Sequence, residues 1–216
     1  MARGAFITVE GGEGVGKTTS LAALESHLKS RGIDVLLTRE PGGTTLGEAI
    51  RSWILDGDHG QLGADVEALL MFAARAQHLD ELIRPAVERG TWVVCDRFTD
   101  ATLAYQGGGR GADRSFLEAL ARGVQRGFVP DLTLLLDAPV EVGMARIADR
   151  PHDHFEREEA AFFGRVRSTY LELAAAEPER IRVIDASAPQ PTVLAAIERE
   201  LDAFCERFAA GQQGQA

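Results

Sequence analysis

A glycine-rich segment between a short apolar run and a helical pattern constrains the fold of this chain more than any other feature. Residues Gly11–Thr18 read GGEGVGKT and fit the spacing G-x-x-x-x-G-K-[ST]. The apolar run Ala5–Val9 before it is typical of a buried parallel strand, and leucines at helical spacing follow from Thr18. Glycines here let several backbone N–H groups point at one anion, at the positive end of a helix. The segment therefore predicts a strand–loop–helix unit that binds phosphate.

The loop supplies the side chains that a nucleoside triphosphate with Mg²⁺ requires. Lys17 is one of only two lysines, whereas arginine supplies the rest of the positive side-chain charge. Its ammonium group is expected to reach the β- and γ-phosphates, and the Thr18 hydroxyl to ligate Mg²⁺. The alternative is a chance lysine in a glycine-rich turn. The predicted ATP contacts along the loop are Gly11, Gly12, Glu13, Gly14, Val15, Gly16, Lys17, Thr18 and Thr19.

Strand and helix patterns alternate along the rest of the chain. Most strand patterns are apolar without alternation, which predicts an α/β fold with a five-stranded parallel sheet covered by helices on both faces. The further predicted strands are Ile33–Leu37, Trp92–Cys95, Leu132–Leu136 and Ile181–Ile184. The predicted helices are Thr18–Arg31, Leu46–Leu55, Asp65–Arg89, Arg114–Arg126, Val140–Asp149, Glu158–Ala176 and Thr192–Phe208. We expect one domain over residues 1–208 and a disordered tail over residues 209–216.

Composition excludes several partners. The formal net charge of −10 opposes binding to a nucleic-acid backbone, which needs clustered basic residues. No apolar run approaches 18 residues, so we expect no membrane span, and the N-terminus lacks the pattern of a signal peptide. Cys95 and Cys205 are far apart and lack metal-ligand spacing, which favours two reduced thiols in a cytoplasmic protein.

Three classes of nucleotide-binding protein compete at this point: a small-molecule kinase, a switch GTPase, and an ATPase motor or binding module. A guanine-reading N-K-x-D motif needs a lysine after the loop region, and the chain has none after Lys29. A motor normally needs a longer chain and an interaction surface. A kinase needs an acceptor site, and four polar segments offer one: TREPGGT from Thr38, MFAAR from Met71, DRF from Asp96, and AYQGGGR from Ala104.

These segments, together with RVRSTYLELA from Arg165, resemble bacterial thymidylate kinases in order and spacing, from about Phe6 to about Phe208. The resemblance implies a P-loop kinase fold with a short lid, assembled as a homodimer. It also implies Mg²⁺-dependent, in-line transfer of the γ-phosphoryl group of ATP to dTMP. The alternatives are a kinase for another nucleoside monophosphate or a deoxynucleoside, or an ATP-binding regulatory module without the transfer step.

The resemblance assigns roles around the acceptor phosphate and the sugar. Glu13 is expected to accept a hydrogen bond from the 3′-OH of dTMP, and Arg97 and Arg51 to hold its phosphate. Asp96 is expected to position Mg²⁺ directly or through water. The plainer alternatives are a solvated loop carboxylate for Glu13, a solvated helix face for Arg51, and a helix cap or an ion pair for Asp96. The family pattern adds Arg39 and Pro41 to the dTMP contacts.

The base site is assigned in the same way. Arg75, Thr102 and Gln106 are expected to read the polar edge of thymine, with Tyr105 beside the sugar or in plain packing. An aromatic residue on the helix before Arg75 should stack on the ring. Phe72 is the favoured contact and Met71 the alternative, since both offsets lie near the face of the helix that carries Arg75.

The lid is expected over residues 146–157. The loop residues Gly12–Val15 include no arginine, so the chain resembles the members whose lid supplies a catalytic arginine. This pattern places Arg150 at the lid arginine and Arg146 one turn earlier, both in contact with ATP. His154 stands where a second lid arginine is usual. The predicted catalytic set is Lys17, Asp96, Arg97 and Arg150.

Arg150→Ala tests the lid assignment. The phosphate loop and Mg²⁺ cover only part of the charge on the transferring phosphoryl group, so a cation from the lid should speed transfer. We expect a loss of turnover of at least about a hundredfold, near 2.7 kcal/mol of barrier, with dTMP binding retained. Steady-state turnover and dTMP titration measure both quantities. Turnover within threefold of the unmodified protein would instead make Arg150 a solvated helix-end residue.

Overall fold

One parallel sheet of five strands forms the centre of the computed structural model of this protein, which describes residues 2–56, 62–148 and 160–213. The strands are β1 (Phe6–Gly11), β2 (Val35–Arg39), β3 (Trp92–Asp96), β4 (Leu132–Asp137) and β5 (Ile181–Asp185). Their order is β2-β3-β1-β4-β5, with every neighbouring pair parallel. The predicted parallel α/β sheet is confirmed. Because the chain first builds one side of β1 and then the other, a crevice opens at the carboxyl end of β1.

Helices cover both faces of the sheet. They are α1 (Lys17–Ser30), α2 (Thr45–Asp56), α3 (Ala64–His78), α4 (Arg84–Glu88), α5 (Thr99–Thr102), α6 (Arg114–Gln125), α7 (Val140–Ile147), α8 (Ala160–Ala176) and α9 (Gln190–Gln213). Two segments are π-helical. Leu79–Ile83 joins α3 to α4, and Leu103–Gly109 follows α5. Within the described ranges, no helix has both the length and the apolar character that a membrane crossing requires.

Burial on both faces explains the unbroken apolar pattern of the central strands. Ile7 of β1 packs with Leu24 of α1 and Leu201 of α9 on one face. Its neighbour Phe6 packs with Ile83 on the opposite face. Since successive strand residues point to opposite faces, both must be apolar when helices cover both sides.

The second strand begins later than its apolar run. The N–H of Gly32 donates to the carbonyl oxygen of Lys29 at 3.0 Å, and the N–H of Ile33 donates to that of Leu28 at 3.1 Å. These bonds close the end of α1, with Gly32 in the left-handed region at φ 75°. Ile33 therefore belongs to the helix end, and β2 starts at Val35.

The predicted single helix over Asp65–Arg89 is instead a continuous helical run with a wider turn inside it. The π-helical segment Leu79–Ile83 separates α3 from α4. Pro85, in the first turn of α4, has no backbone N–H to donate to the preceding turn. The regular hydrogen-bond ladder is interrupted just before it.

The C-terminal end of the chain departs from its prediction. We expected the last helix to end at Phe208 and the tail to be disordered. The helix α9 continues to Gln213, so residues 209–213 are helical. Residues 214–216 lie outside the described ranges.

Candidate functional site

The phosphate loop has the backbone that its sequence predicts. It leads from the end of β1 at Gly11 to the start of α1 at Lys17. Gly14 and Gly16 have φ angles of 68° and 92°, a conformation that side chains other than glycine rarely adopt. The Lys17 ammonium group donates to the carbonyl oxygens of Gly11 and Gly12 at 3.1 and 2.6 Å. Burial, followed by the charge of Arg97, lowers the pKa of Lys17, and a bound phosphate would favour its charged form.

Most of the predicted nucleotide contacts line one cavity of about 610 Å³ at the carboxyl end of the sheet. These are Glu13, Gly14, Val15, Gly16, Lys17, Thr18, Pro41, Arg51, Met71, Arg75, Asp96, Arg97, Thr102, Tyr105, Gln106 and Arg146. Gly11 and Gly12 line a smaller cleft on the other side of the loop. Thr19, Arg39 and Phe72 line neither. Arg150 and His154 lie outside the described residues.

Arg97 joins the loop to the end of β3. Its guanidinium group donates to Glu13 Oε1 at 2.5 Å and lies 4.7 Å from the centroid of the Tyr105 ring. The Tyr105 hydroxyl donates to the same carboxylate oxygen at 2.7 Å. Arg97 holds this position with a φ of 67°, a strained value for a residue with a side chain. The Glu13 carboxylate is therefore fixed at the cavity wall, facing both the loop and the acceptor pocket.

A buried carboxylate that the sequence analysis missed supports Arg97 from behind. Glu10 is fully buried at the end of β1. It accepts hydrogen bonds from the backbone N–H of Phe98 at 2.7 Å and from the Tyr170 hydroxyl at 2.8 Å. Burial, with the nearby charge of Asp100, raises the pKa of Glu10 to about 7. An acidic residue that ends an otherwise apolar strand was the available signal, because a buried carboxylate needs partners of this kind.

Arg75 defines the far end of the cavity. It is nearly fully buried on α3, with Nε donating to Glu40 Oε2 at 2.8 Å and Nη2 donating to Thr102 Oγ1 at 2.9 Å. Its Nη1 has no hydrogen-bond partner among the described residues. Since Arg75 lines the cavity, this orphaned nitrogen is available as a donor to a ligand.

The expected stacking residue is corrected by the packing of α3. Phe72 does not reach the cavity; its ring lies 4.6 Å from the Arg75 guanidinium and packs with Ala68 and Leu117. Met71 lines the cavity instead. One position along a helix turns a side chain by about 100°, and here that step takes Phe72 away from the wall that Met71 lines. Phe72 supports Arg75 from behind.

The segment after α5 places two cavity residues side by side. Tyr105 and Gln106 are consecutive, both buried, and both line the cavity. They lie in the π-helical segment Leu103–Gly109. A Cβ at Gly108, near the end of this segment, would overlap the side chain of Thr169 on α8, so the glycine permits a close approach of the two elements.

Arg51 and Arg39, which were also predicted to contact dTMP, differ in position. Arg51 lines the cavity from α2 and donates to the carbonyl oxygen of Pro41 at 3.2 Å. Burial, followed by the charge of Arg39, lowers the pKa of Arg51. Arg39 itself is half exposed and pairs with Glu48 at 2.8 Å outside the cavity. The structure therefore brings Arg51 and Arg97, but not Arg39, to the cavity wall.

Two side chains with oxygen atoms, those of Thr18 and Asp96, line the cavity beside the loop. Asp96 Oδ1 at the end of β3 is buried and has no hydrogen-bond partner among the described residues. The Thr18 side chain lines the same cavity. A carboxylate and a hydroxyl are ligands of the kind that Mg²⁺ accepts beside nucleotide phosphates. No cluster of three or more histidine, cysteine or acidic side chains suited to a metal occurs within the described ranges.

The helix α7 packs directly onto the phosphate loop. A Cβ atom at Gly143 of α7 would overlap the carbonyl oxygen of Glu13, and one at Gly14 would overlap the carbonyl oxygen of Gly143. Arg146, one turn further on, donates to the carbonyl oxygens of Ala186 and Gly14 at 3.0 and 3.4 Å. Because Gly14 and Gly143 have no side chains, α7 packs close to the loop and places Arg146 at the cavity.

The fold and this cavity define the class of the protein. A phosphate loop at the central strand of a parallel sheet faces an arginine-lined acceptor pocket, which is the arrangement of a P-loop nucleotide kinase. The family model for thymidylate kinase matches residues 9–197, and the chain belongs to the thymidylate kinase family.

Curated relatives agree over nearly the whole chain. The protein is 54% identical to the thymidylate kinase of Methylococcus capsulatus over 94% of this chain and 98% of that relative. It is 51% identical to the thymidylate kinase of Alkalilimnicola ehrlichii over 99% of both chains. The thymidylate kinase of Chromohalobacter salexigens is 55% identical over 93% of this chain and 96% of its own length.

Gly143→Ala tests the contact between α7 and the loop. The added methyl group would push the Glu13–Gly14 peptide or α7 out of place, and misplacement of about 1 Å can cost up to about a hundredfold in rate. We expect kcat to fall at least about tenfold while the variant remains folded. Steady-state kinetics and thermal melting measure the two effects.

Gly123→Ala is the matched control. Gly123 lies within α6, and a Cβ there meets nothing within 4 Å. This variant should keep its turnover and gain about 0.5–1 kcal/mol of helix stability. Equal turnover in the two variants would mean that the close contact at Gly143 has no role in the reaction.

Proposed function

We propose that this protein transfers the γ-phosphoryl group of ATP to dTMP, giving dTDP and ADP for dTTP synthesis. The observation that carries the proposal is that Lys17 of the phosphate loop and the acceptor-side residues Arg97 and Arg51 line a single cavity. Donor and acceptor phosphates bound there would meet between these cations. The family match and the curated relatives favour this activity over a kinase for another acceptor or a non-catalytic module.

The proposed chemistry is positioning and charge neutralisation, without a covalent enzyme intermediate. Lys17 would hold the β- and γ-phosphates of ATP, while Arg97 and Arg51 hold the phosphate of dTMP in line for attack. Mg²⁺, held through Thr18 and Asp96 directly or through water, would neutralise charge on the transferring group. Arg146 lies close enough to the loop to contact ATP, and Arg150 is the proposed lid cation.

The acceptor nucleoside would occupy the part of the cavity between Glu13 and α3. Glu13 is proposed to accept a hydrogen bond from the sugar 3′-OH, with Tyr105 beside the sugar. Arg75 Nη1, Thr102 and Gln106 would face the polar edge of thymine, and Met71 would contact its ring. The backbone around Pro41 closes this side of the cavity.

The proposed assembly is a homodimer of single-domain chains in the cytoplasm. Leu46 of α2 and Val66 and Leu69 of α3 are 46%, 46% and 49% exposed, although they are apolar. Val66 and Leu69 share one face of α3 by helical spacing, next to the exposed Ala73. A second copy covering this α2–α3 face would bury these side chains. Two free cysteines fit a reducing compartment.

The assay of acceptors tests the proposed activity. ADP release with dTMP, dUMP, dCMP, dGMP and AMP should give the highest kcat/KM with dTMP. Lys17→Met should reduce turnover to a few per cent or less with an unchanged melting temperature, because Lys17 serves phosphate charge and not the core. The absence of an acceptor preference would exclude the thymidylate kinase activity, and an active Lys17→Met variant would exclude the role of the loop.

Leu69→Glu tests the assembly. A charge on the α2–α3 face should convert a dimer into a monomer at micromolar concentration, because burying an unpaired carboxylate is costly. Light scattering measures the mass. Val129→Glu is the control, since Val129 is apolar and 57% exposed but lies far along the chain from this face. A monomeric unmodified protein, or a dimer that survives Leu69→Glu, would contradict this interface.

A further inference from the structure

The side-chain amide of Gln106 can present either a hydrogen-bond acceptor or a donor to the cavity, depending on its orientation. Gln106 is 1% exposed and lines the cavity. Its carbonyl and amino ends have nearly the same shape, but one accepts and the other donates hydrogen bonds. The end that faces the cavity therefore decides which edge of a bound base this residue accepts.

A carboxylate outside the cavity lining determines this orientation. Glu67 is fully buried on α3, and its Oε2 accepts a hydrogen bond from Gln106 Nε2 at 3.1 Å. The Arg110 guanidinium Nε donates to the same oxygen at 3.4 Å and lies 3.3 Å from Oε1, which makes Glu67 one half of a buried ion pair. An ionised carboxylate only accepts hydrogen bonds, so it binds the amino end of the amide. The Gln106 carbonyl oxygen is then turned away from Glu67.

Arg75, which also lines the cavity, offers a hydrogen-bond donor rather than an acceptor. Arg75 Nη1 is a donor without a partner among the described residues, and the Arg75 fork is held by Glu40 and Thr102. The wall thus combines a fixed donor from Arg75 with an acceptor from Gln106. A base edge with a carbonyl beside a ring N–H complements this pair. An edge with an amino group beside an unprotonated ring nitrogen places donor against donor and acceptor against acceptor.

We propose that Glu67 is a positioning residue that fixes the polarity of Gln106 and thereby selects a 4-oxo pyrimidine over a 4-amino pyrimidine. The inference rests on the proposed function, in which this cavity holds the base of dTMP. Glu67 touches neither the substrate nor the phosphates in this arrangement. It acts through Gln106 alone.

Glu67→Met removes the carboxylate and keeps a side chain of similar length. It is preferred to Glu67→Gln because Gln106 Nε2 and Arg110 Nε donate to the same oxygen, and one carbonyl oxygen would satisfy both. In Glu67→Met the carboxylate no longer holds the amino end of Gln106, so either end of the amide can face the cavity. The base site would lose its fixed acceptor for the ring N–H of thymine and gain, in the turned amide, a donor for the ring nitrogen of a 4-amino pyrimidine.

The experiment compares the dissociation constants of dTMP and 5-methyl-dCMP, which have the same size and differ only at this edge. In the unmodified protein dTMP should bind more tightly. Glu67→Met should reduce the ratio of the two constants at least tenfold, with kcat at saturating dTMP changed much less. Glu118→Met is the control, because it removes a carboxylate from the exposed Arg114–Glu118 pair. That control should leave the ratio unchanged.

A swap of the two side chains separates orientation from simple damage. In the double variant Glu67→Gln with Gln106→Glu, residue 67 donates and the carboxylate at 106 presents an acceptor to the cavity. The preference for dTMP should return toward that of the unmodified protein. This variant also decides the question if Glu67→Met does not fold.

Each remaining outcome contradicts either the proposed role of Glu67 or the proposed function. A folded Glu67→Met protein with an unchanged ratio, or with both nucleotides weakened equally, overturns the proposed role of Glu67. So does a folded swap that lacks the preference for dTMP, or a failure of both variants to fold, which makes Glu67 purely structural. An unmodified protein that does not prefer dTMP to 5-methyl-dCMP would instead contradict the proposed function itself.

Discussion

The ion pair between Arg97 and Glu13 connects the two halves of the cavity. Glu13 belongs to the phosphate loop, whereas Arg97 follows β3, and their 2.5 Å contact joins segments that lie far apart in the chain. Arg97 reaches it only through a left-handed backbone conformation, which costs free energy and must be held by its surroundings. The backbone N–H of Arg97 donates to Val9 at 3.0 Å, and Glu10 holds the next residue. One strained arginine thus links the phosphate loop to the cavity wall at the end of β3.

Buried carboxylates support the site from behind, and each has a defined partner. Glu10 binds the backbone after Arg97, Glu40 binds Arg75, and Glu67 binds Gln106. Burying a carboxylate is costly unless hydrogen bonds or cations compensate, so such groups restrict the number of arrangements that the surrounding side chains adopt. Arg180 similarly pairs with the buried Asp100 at 2.7 Å, and it also donates to Thr133 of β4.

Local patterns were sufficient for the fold and for the phosphate loop. The loop spacing specifies a strand, a turn and a helix within a few residues, and the apolar runs specify strands buried on both faces. Two predicted boundaries were wrong. Hydrogen bonds at Gly32 and Ile33 close the end of α1, so β2 begins later than predicted. The helical run predicted as one α-helix contains a π-helical segment just before Pro85. The continuation of α9 to Gln213 had no apolar signal, since the segment after Phe208 is polar.

The sequence by itself determined the sheet and the class of loop, because these depend on spacing along the chain. Tertiary structure decided which side chains share the cavity. A helical step of about 100° put Met71 on its wall and Phe72 behind Arg75. Only packing between distant segments placed Gly143 against the loop and Glu67 against Gln106. Such contacts depend on how helices cross in space, and no pattern of neighbouring residues encodes that geometry.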